Sequence, residues 1–200
     1  MRGGAGVKGQ GSVSRYRFID LSFFALMVFV SETVIVTAAV KWFPREPYTV
    51  SAVAAVTAIV MIRWGPWAAI HAVLGGVAFC LASGAAPWQY AVYCGGNLLA
   101  LAALPLARGK RGEALRQDSF RTVVYALAVQ LLMQAGRALF SLIAGASLTT
   151  AAGFFTTDVI SLLFTALLLW ITRRLDGMLE DQKHYLHRTA KEREEEKGGF

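Results

Sequence analysis

Apolar residues gather along the chain into six stretches separated by short clusters of proline, glycine and charge. A bilayer core about 30 Å thick is crossed by roughly 17 to 25 helical residues, so each stretch is a candidate membrane span. The first runs from Ile19 to Trp42 and stops at Phe43-Pro44-Arg45-Glu46-Pro47, where two prolines end any helix. The second, Tyr48 to Ile62, is shorter. A tight break at Arg63-Trp64-Gly65-Pro66 leads into the third, Trp67 to Leu81, which ends in the turn Ser83-Gly84-Ala85-Ala86-Pro87. The fourth covers Trp88 to Leu106, and after a basic loop come the fifth, Thr122 to Ala146, and the sixth, Phe155 to Ile171. Stretches two and three lie near the lower length limit. They read either as two crossings or as a helical hairpin whose legs stop short. The pattern predicts an all-α integral membrane protein, a bundle of six transmembrane helices.

Composition narrows the class. Fifty-six per cent of the 200 residues are hydrophobic and only 16% are charged, with a mean hydropathy of +0.48. That excludes an ordinary soluble globule and a disordered chain, and two cysteines are too few for a disulfide-stapled one. The net charge of +7 would raise nucleic acid as a partner if the cations formed one patch. They flank the apolar stretches instead. Seventeen of the 20 Lys and Arg fall on one side, Lys41 and Arg45 fall on the other, and Arg137 lies within the fifth stretch. Positive charge marks cytoplasmic flanks, so both termini are predicted to be cytoplasmic in a multi-pass membrane protein. Residues 1–17 read as a flexible, basic, Gly/Ser-rich leader, 18–175 as the membrane domain, and 176–200 as a charged cytoplasmic tail. The first stretch is too long for a secretory signal and is read as an uncleaved anchor.

Polar side chains inside spans are costly and therefore informative. Gln130, Gln134 and Arg137 recur at spacings of four and three, which puts them on one helical face. Arg137 stands about 24 Å up the helix from Arg121, in the outer half. Asp158 opens the sixth stretch from that side, and Glu32, about 18 Å up the first helix from Asp20, is a second possible partner for Arg137. Asn97 and Tyr93 belong to the patch Tyr93-Cys94-Gly95-Gly96-Asn97, where paired glycines allow close helix approach. Two readings stay open: a network that only holds helices together, and an outward pocket in which Arg137 recognises an anionic or carbonyl group while Gln134 donates and accepts. His71 reads as a structural residue, and Cys80 and Cys94 as unrelated thiols. Ala68, Ala72, Gly76, Cys80 and Gly84 repeat every four residues, a strip against which another helix can lie, from this chain or from a partner.

The chain has no Walker A loop, nucleophile elbow, metal-ligand pattern or dinucleotide fingerprint. No enzyme activity, metal, cofactor or nucleic acid is therefore expected, and an ATP-driven process would need another subunit. The six-span layout, the Pro-bearing loop Phe43 to Tyr48, the turn Met61 to Trp67 with His71 to Gly76 behind it, and the Tyr93–Asn97 patch carry a resemblance. Gln134-Ala135-Gly136-Arg137, Thr156-Thr157-Asp158 and the tail Leu175 to Leu186 add to it. From Phe18 to Arg188 the chain resembles the substrate-binding S components of energy-coupling factor transporters.

The resemblance implies capture of a vitamin or similar micronutrient at the outer face, with the first outer loop as a lid. It also implies delivery through one membrane coupling protein and two ABC-type ATPases. The family's Ala-x-x-x-Ala docking pattern on the first span is not matched, since Phe29 follows Ala25 at that spacing, and Ala68, Ala72 and Gly76 are the candidate substitute. The alternative is a membrane scaffold of the cell envelope without a small-molecule ligand.

Overall fold

The computed structural model describes residues 5–45, 50–175 and 177–198, and every regular element among them is a helix. Helix α1 covers Ala5–Trp42, α2 Val53–Trp64, α3 Ala68–Ser83, α4 Pro87–Leu106 and α5 Gly109–Gln117. Helices α6 (Ser119–Ile143), α7 (Leu148–Thr157), α8 (Val159–Thr172) and α9 (Gln182–Gly198) complete the order. Where the sequence suggests a flexible leader, residues 5–17 continue α1, because a helix nucleated by a long apolar segment propagates at little cost. Among the described residues four stretches are long and apolar enough to cross a membrane: Val13–Trp42, Val53–Ser83, Ser119–Ile143 and Leu148–Thr172. Pro87–Leu106 makes a fifth if it is taken with Gly109–Gln117, from which it is bent by 89°. Phe23 and Leu26 on α1 and Leu163 and Leu167 on α8 are more than half exposed, which suits a lipid-facing surface.

The stretch Val53–Ser83 does not run straight. Twenty-two residues of straight helix would part Val53 from Gly75 by about 33 Å, yet a Cβ on Gly75 would lie 2.5 Å from the Val53 methyls. The reversal occurs at Gly65, whose φ of 63° suits glycine, with Pro66 after it. Legs α2 and α3 therefore form the hairpin foreseen as one of two readings. Their 12 and 16 residues rise about 18 and 24 Å, short of a full bilayer core.

Every residue of α2 is buried, which explains why its sequence is apolar all round rather than striped. It stands inside the bundle, held at both ends by α1. At its C-terminus Arg63 bonds Asp20 through Nε and Nη2 at 2.9 and 2.7 Å, and Trp64 Nε1 donates to Asp20 at 2.6 Å. At its N-terminus the Glu32 carboxylate accepts from Ser51 Oγ at 2.9 Å and from the Ala52 N–H at 3.0 Å. A helix starting within the membrane has orphan N–H groups and no water to satisfy them, and Glu32 fills that role. Beyond this buried N-terminus α1 continues for ten more residues to Trp42, so α2 stops well short of the far end of its neighbour.

Candidate functional site

The early start of α2 leaves a hollow. A cavity of about 230 Å³ lies over its N-terminus, with Val50 and Ser51 at one end and walls from Phe79 of α3, Tyr93 of α4, Arg137 of α6 and the α7 face carrying Thr150, Phe154 and Thr157. Asp158, between α7 and α8, also lines it.

Arg137 is placed by glycine. A Cβ on Gly96 would lie 2.6 Å from the Arg137 backbone nitrogen, and one on Gly136 would collide with the Gly96 carbonyl, so α4 and α6 touch backbone to backbone. That contact brings Asn97 to Arg137. The Asn97 amide donates to the Ala72 carbonyl at 2.9 Å, and its Oδ1 accepts from Arg137 Nε at 2.8 Å. Arg137 Nη1 donates to Asp158 Oδ2 at 3.1 Å, while among the described residues Nη2 meets only the Met133 sulfur, at 3.6 Å. Thioether sulfur is a weak acceptor, so this end of the fork keeps capacity for an oxygen. Both partners are buried, Arg137 at 4% and Asp158 at 5% exposure.

An aromatic wall completes the arrangement. The Phe79 and Tyr93 rings lie 4.1 Å apart at 32°, Phe154 meets Tyr93 edge-on at 6.0 Å, and the Arg137 guanidinium stands 5.2 Å from the Tyr93 centroid. A flat or apolar group and a hydrogen-bond acceptor are thus addressed side by side. The volume is below the roughly 300 to 1,000 Å³ common for ligand pockets, so the occupant is small.

Of the residues singled out in the sequence, Arg137, Asp158 and Tyr93 line the cavity, and Gln134 and Asn97 stand behind them. Gln134 Nε2 donates to Asp158 Oδ2, and its buried Oε1 has no hydrogen-bond partner among the described residues. Gln130 shares the helical face as expected but lies lower, where its Oε1 accepts from Thr165 Oγ1 at 3.2 Å; it does not line the cavity. Of the two possible partners for Arg137, Asp158 makes the ion pair; the Glu32 carboxylate is taken up by the start of α2 and lies within electrostatic reach of Arg137 without pairing to it. The partner-docking strip is corrected as well. Ala68 and Ala72 are fully buried, and a Cβ on Gly76 would lie 2.9 Å from the Cys94 nitrogen, so this chain's own α4 covers the strip.

Asp158 sits ten residues beyond the start of α7, deeper than a span beginning at Phe155 implies, because Ser147 caps a helix hidden in a Thr- and Ala-rich run. Phe79 and Phe154 carry no sequence signal that separates them from lipid-facing aromatics. Cys80 and Cys94 are free thiols, and His71 Nε2 lies 3.0 Å from the Leu21 carbonyl, tying α3 to α1. In the expected lid, residues 46–49 are outside the described residues, as are 1–4 of the leader and Asp176, Gly199 and Phe200 of the tail. No protein-family model, curated protein or solved structure matches the chain.

Proposed function

We propose that the protein is the substrate-binding subunit of an energy-coupling factor type importer, taking a small micronutrient from the outer side of a bacterial inner membrane. The observation that carries the reading is the cavity over the buried end of α2, where Arg137 presents an uncommitted fork end beside an aromatic wall. In this reading α1, the two hairpin legs, α4, α6 and the α7–α8 pair are six membrane segments with both termini cytoplasmic. The seventeen-to-two split of cations supports that orientation. Energy comes from a separate module of a coupling protein and two ATPases.

A ligand held here offers an acceptor group to Arg137 Nη2 and a flat or apolar portion to Phe79, Tyr93 and Phe154. Arg137 and Asp158 balance one another, so the site does not demand a ligand of high net charge. The small-residue strip is covered within the chain, so it serves neither as the docking surface for the coupling protein nor as the partner face of the scaffold alternative.

The test is mass spectrometry of small molecules released by denaturing gently purified protein, with Tyr93→Ala and Arg137→Lys in parallel. Arg137→Ala alone is a poor probe, because it strands the buried Asp158 carboxylate. One stoichiometric metabolite in the wild type, lost or strongly reduced in both folded variants, is the expected result. Folded wild-type protein that releases nothing after growth with common vitamins overturns the reading.

A further inference from the structure

At the end of the bundle opposite the Arg137 cavity, four segments far apart in sequence converge on a second cavity of about 170 Å³. Arg17 comes from α1, Arg63 to Trp67 from the hairpin turn, Arg108 from the junction of α4 and α5, and Asp181 and Lys183 from the approach to α9. Its cations differ in their commitments. Arg63 is saturated by Asp20 and by the Gly177 carbonyl at 2.8 Å. Arg17, Arg108 and Lys183 form no ion pair among the described residues; Arg17 instead lies 5.0 Å over the Trp67 ring.

Arg108 is seated by the same glycine that turns the hairpin, since a Cβ on Gly65 would collide with its guanidinium. Asp181 turns inward upon its own loop, its Oδ1 accepting from the Lys183 N–H at 3.0 Å. Among the described residues, four cations thus face Asp181 and the Asp20 bonded to Arg63, an excess of two positive charges around one small hollow. Trp67 beside it, 45% exposed, is a residue of the kind that marks a membrane–water boundary.

We propose that this cavity binds an anionic phosphate group, brought either by an acidic phospholipid headgroup or as free phosphate. Uncommitted guanidinium and ammonium donors on different sides of a hollow suit a tetrahedral group whose oxygens accept in several directions. A solvated cationic face would satisfy the topology rule without concavity. Here the turn at Gly65 and the α4–α5 junction at Arg108 build a pocket around the charge. Basic pockets between membrane helices are sites of this chemistry, each nearby cation adding about 1 kcal/mol towards an anionic surface. The proposal is independent of the small-molecule site, which lies about 18 Å away along α2.

The experiment reconstitutes the full chain in nanodiscs of equal phosphatidylglycerol and phosphatidylcholine and counts retained lipids by native mass spectrometry. In parallel, inorganic phosphate is titrated against protein in phosphatidylcholine nanodiscs, with tryptophan emission as the readout. Arg17→Gln/Arg108→Gln is the test variant; it leaves Arg63 and its bonds intact. Lys191→Gln, far out on α9, is the control. A wild-type preference for phosphatidylglycerol of roughly tenfold or more, abolished in the double variant and kept in the control, supports the proposal and names a lipid as the source. A saturable emission change with phosphate, lost only in the double variant, supports it and names free phosphate. Neither response in the wild type, or either response unchanged in the double variant, overturns it.

Discussion

Two buried Arg–Asp pairs hold this bundle, and they are built to different degrees of completion. In the Arg63–Asp20 pair the guanidinium meets the carboxylate through two nitrogens and gives the third to the Gly177 carbonyl, while Trp64 adds a fourth bond. In the Arg137–Asp158 pair one nitrogen reaches the carboxylate, one reaches Asn97, and one meets only sulfur. Burial does not account for the difference: both arginine side chains are 5% exposed, and Asp20, at 13%, is the less buried of the two aspartates, Asp158 being 6% exposed. What separates them is leftover capacity. A saturated pair can only hold helices together, whereas a pair with an unspent donor beside a cavity can also take something in.

That contrast makes Arg63→Ala the most damaging change. It removes three guanidinium bonds at once and leaves the largely buried Asp20 without its cation, and the expected loss is about 3–5 kcal/mol, read as a lowered unfolding midpoint in detergent. Arg137→Ala should cost less, about 1–3 kcal/mol, because it removes one bond to the carboxylate, and Asp158 keeps those from Gln134 and Ser161. Equal or reversed losses would break the contrast between a lock and a site. Gly96→Ala sharpens it next. The added methyl meets the Arg137 backbone and costs about 1–3 kcal/mol, and by moving Asn97 and Arg137 apart it should weaken retention of any released metabolite, measured on the folded fraction. Gln130→Leu is the mildest, about 0.5–1.5 kcal/mol for one lost bond to Thr165, with metabolite retention unchanged. A loss of retention there would place the site deeper than the cavity.

Much of this arrangement was legible in the sequence. An arginine and two glutamines at spacings of four and three can share one face in only one regular structure, so α6 and its polar stripe followed directly. Asp158 as the partner followed from its approach from the same side. The destination of Glu32 did not, because its partners are a backbone N–H and a hydroxyl twenty residues on, and no spacing rule reports where another helix begins. The short-stopping hairpin was foreseen as an alternative, but the cavity above it was not, for a void is defined by residues that are missing. Phe79 and Phe154 stayed hidden because an apolar helix in lipid shows the same composition on its pocket face and its lipid face. The small-residue strip was read correctly as a close-approach surface, yet its partner was set by the fold of α4.

The two ends of α2 are gripped by residues of α1 that stand twelve apart, and α2 itself is twelve residues long. At 1.5 Å per residue these are the same length, about 18 Å. Helix α1 therefore works as a ruler for the segment made after it: Asp20 and Glu32 are already in place when α2 emerges, and they accept only a helix cut to that measure. One residue inserted between them slides one grip by about 1.5 Å and turns it by about 100° about the axis. Any lengthening of α2 must be matched in α1, and the depth of the hollow above α2 is set by where Glu32 falls on the first helix.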